Sequence, residues 1–205
     1  MDIKETFYGV LGKYTSESTI DVLWADVEKC YTGKSRFYHT LVHLQHLHLA
    51  LFPFKDKIQN WDAVIFAIVY HDIVYDAVKA DNEERSALYA QEVLHNVSVN
   101  EETIIQCTRI IRATKTHGTS EGSDISLFLD ADLSILGQPW NIYDGYCKAI
   151  RKEYAVYPDF LYIPGRLKVL HHFLKMQFIY KTDEFCSKYE DQARDNISKE
   201  IRLFT

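Results

Sequence analysis

Apolar positions recur at steps of three and four residues along nearly the whole chain, the spacing that lines one face of an α-helix. Only eight glycines and four prolines interrupt it. The pattern predicts an all-α protein. Ser18 opens a helix with Asp21 in its first turn and Ile20, Leu23, Trp24, Val27 and Tyr31 as its buried stripe. A second helix spans the histidine-rich FYHTLVHLQHLHLALF, and a third starts near Asn60 and contains FAIVYHDIVYDA. Asp81, with Glu84 three residues on, predicts the cap of a fourth helix, and Asn100 before Glu101 and Glu102 the cap of a fifth. GSDISLFLDADLSILG reads as a short sixth helix stopped by Gly137, and WNIYDGYCKAIRKEYAVY as a seventh, halted before Pro158. Pro164-Gly165 predicts a turn that leads into an eighth helix, RLKVLHHFLKMQFIY. Thr182 starts the last one, with Phe185, Tyr189, Ala193, Ile197 and Ile201 at steps of four. No repeat, low-complexity tract or linker breaks the series, so a single helical domain over 1–205 is expected. Its metal-site core would cover about 36–140, and the helices of 141–205 would complete the bundle.

A chain of 205 residues with 47% hydrophobic content can bury one sizeable core. The 23 basic and 29 acidic residues sum to −6, and no Lys/Arg run is dense enough to track a phosphate backbone. That argues against nucleic acid and against an anionic membrane surface as partners. The acidic first residues, Met1-Asp2-Ile3-Lys4-Glu5, do not resemble a secretory signal, and the longest apolar run falls far short of the ~20 residues that span a bilayer. A cytoplasmic location is expected. Cys30, Cys107, Cys147 and Cys186 lack CxxC spacing and read as reduced, space-filling thiols.

The chemistry lies in polar residues that interrupt apolar faces. His39, His43 and His46 follow at i, i+4 and i+7, one stripe of the expected second helix. In the third, His71 has Ala67, Ile68, Val74 and Tyr75 as helical neighbours and Asp72 has Ile68, Val69, Tyr75 and Asp76, largely apolar surroundings for both. A buried carboxylate needs a cation or donors to hold it. Asp132 neighbours Phe128, Leu129, Ile135 and Leu136 and breaks the inward face, whereas Asp130, beside Ser126 and Ser134, reads as a surface or supporting group. Two histidines and two aspartates from three helices, His43, His71, Asp72 and Asp132, would form a nitrogen and oxygen site for Mn, Fe, Co, Ni or Zn, with Mg also suited.

The order His43, His71-Asp72, Asp132 resembles the H…HD…D signature of the HD-domain superfamily of metal-dependent phosphohydrolases. YHTLVH is also similar to the Tyr-His-Asn-x-x-His motif of cyclic-nucleotide phosphodiesterases, with Thr40 in place of Asn. The closer likeness is to small, single-domain HD phosphohydrolases of bacteria. RFYHTLVH, HDIVYD, DNEERSA, FLDADLSILG, IRKEY and ARDN carry it from about residue 36 to 196. The resemblance implies an all-helical fold, a divalent metal ion held by His43, His71, Asp72 and Asp132, and hydrolysis of a phosphate ester, but it names no substrate. The 14 tyrosines offer surfaces on which a base can stack, which makes a nucleotide the preferred class.

A phosphohydrolase also needs an acid for the leaving group and cations for the phosphate. His39 is the candidate acid, and Glu83 and Glu84 are candidates for orienting the attacking water. Arg36, Lys115, Arg151 and Arg166 are candidate phosphate clamps. His117 is the one extra histidine placed to serve a second metal, so a mononuclear site is preferred, and His171 and His172 read as packing residues. Two alternatives stand beside hydrolysis: a nucleotide-binding sensor without turnover, and a di-iron oxygenase of the HD type. A homo-oligomer is compatible with the many tyrosines.

Overall fold

A computed structural model describes residues 2–116 and 122–204. Among them there are ten α-helices and no strand, as the periodicity requires. The chain divides into two compact units, residues 1–128 and residues 129–205.

The first unit is assembled around one helix. α4 (Trp61–Tyr70) buries every residue from Ala63 to Tyr70, so it is apolar all round and surrounded rather than laid on a surface. It packs against α1 (Ile3–Leu11), α3 (Leu41–Leu51), α5 (Asn82–Asn96) and α6 (Glu101–Ala113), while α2 (Glu17–Tyr31) packs on α1. Asn60 caps α4 by accepting from the Ala63 amide at 3.0 Å, and Asn100 caps α6 through the Thr103 amide at 2.9 Å. α7 (Ser123–Asp132) begins in this unit. Asp124 in its first turn accepts from the amides of Gln59 at 3.0 Å and Asn60 at 2.9 Å, which fixes the start of α7 to the start of α4.

The second unit holds α8 (Trp140–Glu153), α9 (Asp159–Lys175) and α10 (Asp183–Phe204), preceded by a 3-10 segment, Leu133–Gly137. α10 packs on that segment and on α9. Asn196 of α10 donates to the carbonyls of Leu136 at 2.8 Å and Gln138 at 2.7 Å. Gly137 comes so close to Tyr189 that a Cβ there would lie 2.5 Å from the Tyr189 Cβ, which leaves room for glycine alone.

Several predicted boundaries move. α1 is absent from the predicted series, although Ile3, Phe7, Val10 and Leu11 form its buried stripe and Asp2 caps it. α2 is capped by Ser16 and not opened by Ser18. Asp81 occupies the cap position of α5 but makes no side-chain capping bond. Pro164 lies inside α9 and ends nothing. It falls early in the helix, and burial of Tyr162, Leu170 and Phe173 offsets the lost backbone bond. The other two shifts, at the start of α3 and the end of α4, shape the site.

Candidate metal centre

α3 begins at Leu41, with Thr40 in extended conformation at its N-cap. His39 therefore precedes the helix, and the expected single stripe of His39, His43 and His46 does not form. His43 is buried on α3, 4% exposed, while His46 faces outward. His39 belongs to a non-helical segment that folds back so that its Nε2 lies 3.8 Å from Asp72 Oδ2. Thr, a favoured N-cap residue, marks this start in the sequence.

Periodicity carries the third helix through the His-Asp pair, but α4 stops at Tyr70, with His71 as its C-cap and Asp72 in the turn beyond. Adjacent residues of a helix diverge by ~100°. Leaving the helix removes that constraint, and the two side chains converge, His71 Nε2 to Asp72 Oδ2 at 3.0 Å.

His71, 2% exposed, has Nδ1 3.0 Å from the carbonyl of Ile68. A carbonyl can only accept, so Nδ1 carries the proton and the neutral ring turns the Nε2 lone pair inward. That lone pair meets His43 Nε2 at 3.1 Å and Asp72 Oδ2 at 3.0 Å, and His43 Nε2 lies 3.9 Å from the same oxygen. His43 Nε2 can donate a proton into this group or, with its own lone pair turned inward, share a cation with it. Burial pushes the Asp72 carboxyl up, but when protons rather than a metal ion fill the cluster the charged imidazolium forms of His71, His39 and His43 outweigh it and hold the group well below the usual carboxylate range.

α7 brings the fourth residue. Rooted by Asp124, it carries Asp132 at its last position. One ligand atom each from His43, His71 and Asp132 lie within 4.8 Å of one another, a group that could hold a metal ion. Ligands about 2.0–2.2 Å from a common ion lie roughly 3.0–3.5 Å apart when adjacent and about 4.2 Å when opposite. The separations among His43, His71 and Asp72 fall between those limits, and of the four expected ligands His43, His71 and Asp132 form the group that could hold an ion. Such a donor set suits first-row divalent ions, and its geometry does not choose among them.

Asp130 exchanges roles with its expected surface position. It is fully buried, 0% exposed, and accepts from the amides of Lys181 at 2.7 Å and Thr182 at 2.7 Å and from Thr182 Oγ1 at 2.7 Å, just before α10. Its partners lie some fifty residues away, beyond what helical neighbours reveal.

The remaining candidates are dispersed. Glu83 is half-buried in the first turn of α5, and Glu84 is exposed and paired bidentately with Arg112 at 2.8 and 2.9 Å. Lys115 is exposed just past α6, on the side of Glu84, whose carboxyl it helps to lower behind the Arg112 hydrogen bond. Arg151 is spent on Asp159 and on the carbonyls of Tyr154 and Tyr157. Arg166 is buried against Glu200 at 2.8 and 3.0 Å. Both serve the second unit rather than a phosphate. Arg36 donates to two backbone carbonyls beside the site. His171 and His172 are exposed, and His117 lies outside the described residues. The four cysteines are free thiols. Among the described residues no helix is long and apolar enough to cross a membrane.

No protein-family model, curated protein or solved structure matches this chain.

Proposed function

We propose that the chain is a metal-dependent phosphohydrolase of the HD type that cleaves a phosphate ester by attack of water at phosphorus, with nucleotides as the preferred substrates. One observation carries the reading: His71 Nε2 lies 3.0 Å from Asp72 and 3.1 Å from His43, and His43, His71 and Asp132 each offer a ligand atom within 4.8 Å of the others. His43, His71, Asp72 and Asp132 would hold a divalent ion, which when bound would supply a water activated at neutral pH and positive charge opposite a phosphoryl oxygen.

The protein's own residues supply the rest. His39, outside the helix and 3.8 Å from Asp72, is placed to give its Nε2 proton to the departing oxygen. The Tyr75 ring lies 4.5 Å from that of His39, and the Tyr38 ring 5.0 Å from it, so two aromatic rings hold the imidazole of the acid in place. Ile68, through its carbonyl, keeps His71 in the tautomer that offers Nε2.

The test is elemental analysis of the purified chain, followed by phosphate-release assays on phosphomonoesters, cyclic nucleotides and nucleoside triphosphates with added Mn, Co, Ni or Mg. Expected are about one bound ion per chain and metal-dependent release that is lost in Asp72→Ala while helical circular dichroism is retained. A metal-replete wild type that releases phosphate from none of these classes overturns the reading.

A further inference from the structure

Arg36 sits where two segments of the site meet. Its Nη1 donates to the carbonyl of His39 at 3.1 Å, and its Nη2 to the carbonyl of Ile73 at 3.0 Å, the residue after Asp72. Its guanidinium lies 4.6 Å from the ring centre of Tyr31 and 5.3 Å from that of Tyr75. The Tyr31 hydroxyl in turn donates to the carbonyl of Val69 at 3.0 Å, in the last turn of α4, and the Tyr75 ring packs on that of His39. Neither the His39 segment nor the turn after Tyr70 is helical, so neither has its own backbone ladder to hold it, and a rigid planar fork can bridge them as a flexible ammonium cannot.

From this we infer that Arg36 is a positioning residue and not a phosphate clamp. It fixes the backbone of His39 to the backbone of the His71-Asp72 turn and so sets the 3.8 Å approach of His39 to Asp72. The inference rests on the phosphohydrolase reading for its catalytic consequence, but its structural content is independent of it. Two backbone carbonyls claim the end nitrogens, and two aromatic rings flank the group, so its orientation is set from four sides before any ligand arrives.

The experiment compares full-length wild type with Arg36→Lys and Arg36→Ala, using amide hydrogen exchange and steady-state kinetics on whichever phosphate ester the wild type cleaves. In both variants, exchange in peptides covering 33–40 and 71–76 should quicken at least tenfold, with α9 and α10 unchanged, and kcat should fall at least tenfold at a KM within twofold of wild type. Arg36→Lys, which keeps the charge, should resemble Arg36→Ala, because a point charge cannot hold both carbonyls. Should Arg36→Ala fail to fold, the lysine variant alone decides. Unaltered exchange in those peptides overturns the inference, as does a raised KM at constant kcat, the signature of a lost substrate contact. If the wild type hydrolyses nothing, the phosphohydrolase reading fails and exchange alone decides the role of Arg36: quickened, it stands; unchanged, it falls.

Discussion

Asp130 and Asp132 are two residues apart on α7 and answer the cost of an inward carboxylate in different ways. Asp130 is satisfied entirely by donors, the two amides and hydroxyl of Lys181 and Thr182. Asp132 is grouped with His43 and His71 as side chains that could hold a metal ion. Opposite phenotypes follow. Asp130→Ala removes the acceptor of two part-buried amides and should lower unfolding stability by about 1–3 kcal/mol in all, read by denaturant titration, with metal content unchanged. Asp132→Ala should do the reverse: metal affinity falls by more than about tenfold, measured by titration with Co or Mn, while the metal-free protein unfolds at the wild-type denaturant concentration. Asp132→Ala that binds metal normally would remove Asp132 from the ligand set.

At the scale of the element, the site depends on where helices stop. α4 delivers His71 because it ends there, α3 begins one residue after Thr40 so that His39 is released, and α7 is aimed from its first turn by Asp124. Asp124→Ala removes two charge-assisted bonds and should cost about 2–3 kcal/mol. Because it frees the α7 start from the α4 start, it should also weaken metal binding several-fold although Asp124 is no ligand; calorimetric titration checks this, and unaffected affinity would show that α7 is held by packing alone. How much of this is legible follows from range. Periodicity of 3.6 gives the helices, and anomalous polar residues on apolar faces give His43, His71, Asp72 and Asp132, since both signals lie within four residues. Asn100 is legible for the same reason. The release of His39 and the unwinding after Tyr70 are not periodic signals, because the apolar pattern continues across both. The donors of Asp130, the Arg112 partner of Glu84 and the Glu200 partner of Arg166 come from distant segments, so helical neighbours assign those residues to the wrong task.

For the whole molecule, proton and metal linkage should act on separate parts. In the second unit Glu200 is buried against Arg166 and also accepts from the Tyr143 hydroxyl. Burial raises its carboxyl pKa, but the Arg166 bonds more than offset this and the net shift is downward. A carboxyl lowered on folding contributes stability above its unfolded value, about 4.3, and loses that contribution as pH falls through the lower folded value. Stability should therefore hold its Glu200 share at neutral pH and decline below about pH 4.3. Glu200→Ala, which strands a buried guanidinium, should cost about 3–5 kcal/mol at pH 7 and flatten the acid decline; an acid limb of the same slope in the variant assigns the loss to other carboxyls. Metal linkage works through other side chains, those of the histidine and aspartate cluster. An ion that binds only the folded protein stabilises it by RT ln(1 + [L]/Kd), about 2.7 kcal/mol at one hundred times Kd, and for a chain of this length that raises Tm by roughly 5–10 °C. Scanning calorimetry of chelator-treated protein with and without Mn should show this rise, and excess chelator should reverse it. The same addition to His43→Ala or Asp132→Ala should raise Tm by at most about half as much, because a site weakened tenfold or more gains correspondingly less from the same ion concentration. A full shift in either variant would place the stabilising ion away from α3, α4 and α7.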